Sequence, residues 1–160
     1  MEGINNATDG NQVTLHTGGG CSMDVKRKQT FKSLHSDCNH ESNDNAGCGV
    51  SGNQDTFGQD YNDNGGGLIA LEWRDAGIRV WQFSRENIPI DITNKAPTPN
   101  SWGTAAADFP DTDCNIGSHF KNNSIIINID LCGDLIYGSY DKSGCKSKHI
   151  KYTIPRADFK

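Results

Sequence analysis

The sequence predicts an all-β protein, and three observations carry that prediction. The 160 residues hold 16 Asp against 4 Glu, with 18 Gly and 16 Asn beside them. Asp, Asn and Gly weaken helix interiors and are favoured in turns. Glu, Leu and Ala, which build surface helices, are scarce, and no helix longer than two turns is predicted. Short alternating runs of apolar and polar residues recur instead.

The length suits one domain with enough chain to bury a core. Against 15 basic residues stand 20 acidic ones, a net charge of -5. That balance argues against nucleic acid or an anionic membrane surface as partner, since both need a basic face. No run of about 18 apolar residues exists, so no membrane-spanning helix is predicted.

Taken in order, Gln12-Val13-Thr14-Leu15-His16-Thr17 alternates and reads as a strand ended by Gly18-Gly19-Gly20. Residues 21–67 are polar and loop-rich, and Asp60 to Gly67 closes them as a turn. A loop of that length needs staples. Leu68–Trp73 and Ile78–Phe83 form a hairpin across a four-residue connection, Arg74-Asp75-Ala76-Gly77. In its second strand Ile78 and Val80 face one side, and Arg79, Trp81 and Phe83 the other. Ile88 to Asn100 is extended and punctuated by Pro89, Pro97 and Pro99. Ser124 to Cys132 is a last strand, with Ile125, Ile127, Ile129 and Leu131 on its buried face.

Six cysteines, Cys21, Cys38, Cys48, Cys114, Cys132 and Cys145, include no CxxC pair. Disulfides in an oxidising compartment are the better account than a zinc ribbon. Six cysteines allow 15 pairings, and the sequence alone does not choose among them. The sequons Asn6-Ala7-Thr8 and Asn122-Asn123-Ser124 agree with secretion. Met1 is not followed by a basic, apolar leader. A mature fragment or a truncated gene model is expected, the latter favoured.

Two patterns imitate metal sites. Asp60-x-Asn62-x-Asn64-Gly65 matches the first half of an EF-hand loop, but its twelfth position is Leu71, with Glu72 one residue late. His35, Asp37, Cys38, His40 and Glu41 have no regular ligand spacing. No metal and no cofactor is expected.

A set of ordered blocks resembles the fungal branch of the family-16 glycoside hydrolases, endo-β-glucanases of the 1,3 and 1,3(4) type. They begin with Glu2-Gly3-Ile4-Asn5, then Thr14-Leu15-His16-Thr17 with Gly20-Cys21, then Asn45-Ala46-Gly47-Cys48-Gly49-Val50. Asn64-Gly65-Gly66-Gly67 leads to Glu72-Trp73, and Ile78-Arg79-Val80-Trp81 to Arg85 and Ile88-Pro89. Ser101-Trp102-Gly103, Asp113-Cys114 with His119-Phe120, and Leu131-Cys132-Gly133-Asp134 with Ser143-Gly144-Cys145 complete the match. Each block is weak alone; order and spacing make the match specific.

The resemblance implies a concanavalin-like β-jelly roll sandwich of two antiparallel sheets, with residues 1–160 a partial catalytic domain lacking early strands and the last strand. It implies β-glucan as the partner, retaining hydrolysis as the reaction, an extracellular location and a monomer. Glu2 is the implied acid/base. The matching nucleophile lies five residues before it and the motif's Asp three before it, positions outside this sequence. Retaining hydrolysis needs two carboxyl groups roughly 5–5.5 Å apart. A spacing of five on a strand needs a β-bulge to bring both to one face. The chain is therefore expected to hydrolyse no glucan, with a non-catalytic, lectin-like glucan binder as the alternative. Absent the resemblance, Glu2 is a solvated terminal carboxylate.

Asn5 and His16 are candidate cleft residues, His16 being equally well a hydrogen-bonded structural histidine. Trp73, Trp81 and Trp102 are candidate sugar platforms, Trp102 the most exposed of them. By the same resemblance Cys114 is expected to pair with Cys132. Cys145 is expected to have lost its partner, and one of Cys21, Cys38 and Cys48 to lack one. Leu135 and Ile136 stand where the family shows Trp-Ala. Missing strands would leave open sheet edges and apolar faces, hence marginal folding or aggregation.

Overall fold

The computed structural model describes residues 10–127. Glu2, Asn5, Cys132, Cys145, Leu135 and Ile136 lie outside them. The described strands make two antiparallel sheets of three. In the first, β1 (Gln12–Leu15) and β2 (Lys32–Ser33) flank β3 (Cys48–Ser51). In the second, β4 (Gly67–Arg74) and β6 (Ala107–Pro110) flank β5 (Gly77–Ser84). Three short helices, α1 (Gly58–Asp63), α2 (Ile90–Thr93) and α3 (Ile116–His119), fill connections. No described helix is long and apolar enough to cross a membrane.

Alternation decides the core. Val13 and Leu15 of β1 register with Val50 and Cys48 of β3, and all four are buried. Facing them are Ile78 and Val80 of β5 with their β6 partners Phe109 and Ala107. Met23, Ile116 and the half-cystines close the same cluster. The segment before β2 also ties the two halves together: Thr30 and Phe31 donate their N–H groups to the carbonyls of Ala105 and Ala106.

Four expectations need correction. The hairpin connection has two residues, Asp75 and Ala76, because Arg74 still pairs with Gly77. Polar side chains do not end a ladder built from backbone groups. Gly77 sits at φ +148, and a Cβ there would lie 2.8 Å from the Phe109 carbonyl oxygen.

Residues 88–100 are not extended throughout. The Asp91 carboxylate accepts from the N–H groups of Ile92 and Thr98, and the segment coils through α2.

The third correction concerns the disulfides. Cys114 bonds to Cys21 and Cys38 to Cys48. The first closes 93 residues and clamps the segment before β2 to the chain after β6. Ser22 donates its N–H to the Asp113 carbonyl beside it. All three early cysteines thus have partners.

Of the strand expected over 124–132, residues 128–132 lie outside the described residues; residues 124–127 form no strand, and Ile125 and Ile127 are 96% and 93% exposed. A strand is defined by its neighbours, and these residues have no ladder partner among the described ones.

Candidate functional site

The outer face of β1–β3–β2 is built by the residues that alternate with the core. Thr14 of β1 lies opposite Gly49 of β3, and Gln12 opposite Ser51. Leu34 follows β2 on the same face, its N–H bonded to the Gly49 carbonyl. His16 continues the Gln12–Thr14 alternation and is exposed.

Two glycines let the side chains of this face pack down onto the sheet. Gly47 is at φ +65, and a Cβ on it would sit 2.5 Å from the Leu15 carbonyl oxygen and 2.9 Å from His16 Nδ1. A Cβ on Gly49 would sit 2.9 Å from Thr14 Oγ1 and 3.7 Å from Leu34 Cδ1. Both glycines are buried, and Thr14, His16 and Leu34 fill the space beside them and make the surface of this face. The sequence assigns no role to Thr14, Gly47, Gly49 or Leu34; the alternation that places His16 also places Thr14.

The tryptophans are elsewhere, with Trp73 apart from the Trp81–Trp102 pair. Trp73 registers with Ile78, Trp81 with Ala70, so Trp73 and Trp81 point to opposite faces of the second sheet. Trp73 is half exposed and meets Phe120 edge-on at 6.4 Å. Trp81 is 2% exposed, and so corrects the expectation of a sugar platform there. The reason is cover. Trp102 packs edge-on against Trp81 at 5.2 Å and against Phe83 at 5.8 Å, and Arg79 lies 5.1 Å from the Trp81 ring.

Trp102 is anchored in turn. Its Nε1–H donates to Asp91 Oδ2 at 2.8 Å. Desolvation pushes the Asp91 pKa up, yet the hydrogen bonds from Trp102, Thr98 and Ile92 prevail and hold it below the ordinary carboxylate range.

The two metal-like patterns have other uses. Cys38 is in a disulfide, and Asp37 accepts from Ser42 Oγ and the Asn39 N–H, which lower its pKa. Glu72 is 8% exposed beneath two guanidinium groups: Arg79 Nε donates to Oε2 at 2.7 Å, and Arg74 Nε lies 2.8 Å from Oε1. Among the described residues, no three His, Cys, Asp or Glu side chains are grouped to hold a metal ion.

Residues 1–157 match the sequence model of the XgeA-like catalytic domain of glycoside hydrolase family 16. The chain belongs to glycoside hydrolase family 16. This family-16 chain is 45% identical over 150 residues to a probable glycosidase of Schizosaccharomyces pombe, covering 91% of the chain and 36% of that protein. It is 34% identical over 145 residues to the endo-1,3(4)-beta-glucanase xgeA of Emericella nidulans, covering 91% of the chain and 23% of that protein. Among solved structures, a mutant laminarinase 16A described as cyclising laminariheptaose aligns with TM-score 0.83 at 39% identity, over 92% of the chain and 51% of that structure. The fold is the laminarinase jelly roll, its sheets not closed among the described residues. The family-16 chain spans about a third or less of these two curated relatives, and about half of the laminarinase.

Proposed function

We propose that this family-16 chain acts on β-1,3- and mixed β-1,3/1,4-linked glucan, with Glu2 as the acid/base residue of a retaining cleft floored by the outer face of β1–β3–β2. The observation that carries this reading is the family match, which runs from residue 1 and so includes the Glu2 motif. The exposed His16 follows β1, the first described strand after that motif, and lies on the same face as Thr14. The relatives' names and the laminarinase's oligosaccharide support the substrate class.

In this mechanism the Glu2 carboxylic acid donates its proton to the departing glycosidic oxygen. As carboxylate it then takes a proton from the water that resolves the glycosyl intermediate. Its pKa must be raised in the first step, which a neighbouring nucleophile carboxylate does by like-charge repulsion. Asn5 and His16 are the polar contacts at its side. Trp73, Trp81 and Trp102 do not share this face and are left out of the cleft. The 160 residues carry one of the two carboxyl groups, so by themselves they are proposed to bind glucan without cleaving it. Secretion, and a monomeric state for a protein in which the apolar face of β4 is covered, complete the proposal.

The test is reducing-sugar release from laminarin and lichenan. The 160-residue chain should release no more than its Glu2→Gln variant. In a protein that carries the upstream carboxylate, Glu2→Gln should lower the rate by about 10²- to 10⁴-fold. Equal rates with and without the Glu2 carboxyl in that active protein would remove its assigned role.

A further inference from the structure

We propose that the cavity beside α1 is a second saccharide-binding site, which holds a glucan chain away from the cleft. The choice of glucan rests on the proposed function; the choice of a saccharide rests on the cavity itself. Its volume is about 660 Å³, within the range of small-molecule sites. It lies where α1 ends, β4 begins and β5 ends. None of its walls belongs to β1, β2 or β3.

One aromatic ring and several free polar ends meet there. Tyr61 is half buried; Gly65 and Gly66 leave the edge of its ring clear, and its hydroxyl packs against Gly67. Gly65 and Gly66 have φ of +82 and +69. A Cβ on Gly66 would lie 3.9 Å from Tyr61 Cε1, and one on Gly67 would lie 2.7 Å from Tyr61 Oη. Burial raises the Tyr61 pKa, opposed by Arg85, so the hydroxyl remains a donor at neutral pH.

Gln82 forms a fixed wall. Its Nε2 donates to the Thr56 carbonyl at 2.6 Å and its Oε1 accepts from Asn11 at 3.1 Å. By contrast Asp55, Asp63 and Glu86 line the cavity with no ion pair to any other described residue.

Free carboxylates around a cavity suit either a cation or a set of hydroxyl groups. Here no three acidic side chains are close enough to share an ion. Spread carboxylates around one aromatic face fit a ligand wider than an ion, with hydroxyls at its rim and CH groups on its flat side. That is a hexose unit.

The experiment is an amide NMR titration of the 15N-labelled chain with laminarihexaose, with calcium chloride alone as a second arm. The sugar should shift the Gly65 and Gly66 amides saturably. Tyr61→Ala should weaken that response about tenfold. Glu86→Ala, at an exposed position, should weaken it several-fold with the rest of the spectrum unchanged.

The Thr14 and Gly49 amides report the cleft separately. Movement there with Gly65 and Gly66 still would overturn this site and leave the cleft standing; the reverse would keep this site and sink the cleft. No movement anywhere sinks both. Shifts of Gly65 and Gly66 by calcium but not by sugar, or an unchanged affinity in both variants, would also overturn it.

Discussion

Gly47 and Gly49 both let neighbouring side chains pack down onto the sheet, but they differ in what a side chain of their own would cost. At Gly47 a Cβ meets a backbone oxygen at 2.5 Å and the backbone is left-handed, so nothing flexible can give way. Gly47→Ala should cost about 2–3 kcal/mol, read as a lowered urea midpoint. At Gly49 the obstacle is the Thr14 hydroxyl, which can turn aside, and Gly49→Ala should cost about 1 kcal/mol. Gly49→Leu should displace Thr14 and Leu34 and weaken laminarihexaose binding at this face.

Asp91 makes a second residue-scale prediction. Its folded pKa lies below the ordinary carboxylate value, so the folded state binds its proton less readily than the unfolded chain. The resulting stability is fully present above the unfolded value of about 3.9 and is lost as pH falls through the folded pKa. Asp91→Asn should therefore flatten the acid limb of a melting-temperature profile below about pH 4. A profile that keeps its wild-type slope would remove Asp91 from the account. The Asp91–Trp102 contact itself was not readable from the sequence: two residues 11 apart in a proline-rich stretch carry no periodic signal.

Among the elements, the two disulfides should contribute unequally. In the chain-entropy picture, closing 93 residues stabilises by about 4.7 kcal/mol and closing 10 by about 2.7 kcal/mol. The Cys21→Ser, Cys114→Ser pair should lower the melting temperature more than the Cys38→Ser, Cys48→Ser pair; the opposite order would contradict the clamp between the sheets. These pairings were beyond sequence reasoning because Cys21 and Cys114 meet only once both sheets are packed.

Strands with a strict period of two were readable instead. The alternation of β1 and of β5 foretold which side chains enter the core and which turn away. Residues 124–127 had the same pattern, yet they form no strand in the described structure. Periodicity records a preference for one buried face; it cannot supply the neighbouring strand.

At the scale of the whole molecule, one apolar surface of the sandwich is uncovered among the described residues. Ile69, Leu71 and Trp73 share the inner face of β4, and Leu71 is 63% exposed. Among the described residues β4 is also an edge strand. An apolar face beside an open edge favours self-association. Leu71→Lys should move the chain from aggregate toward monomer in sedimentation velocity, with little change in melting temperature. A wild-type chain that sediments as a clean monomer at high concentration would contradict this.

The two-sheet architecture and the family were both readable, one from turn-rich composition and alternation, the other from ordered blocks. The division of labour among the tryptophans was not, because a sequence does not say which sheet face another segment will cover.

The central claim concerns a single proton donor. It is tested most directly by a crystal structure of the chain with laminarihexaose, in which the separation between the Glu2 carboxyl and the nearest glycosidic oxygen is measured. The account predicts about 2.6–3.2 Å, with the sugar lying across the β1–β3–β2 face beside His16. A sugar bound across the Trp81–Trp102 face, or a Glu2 carboxyl turned away from the β1–β3–β2 floor, would contradict it.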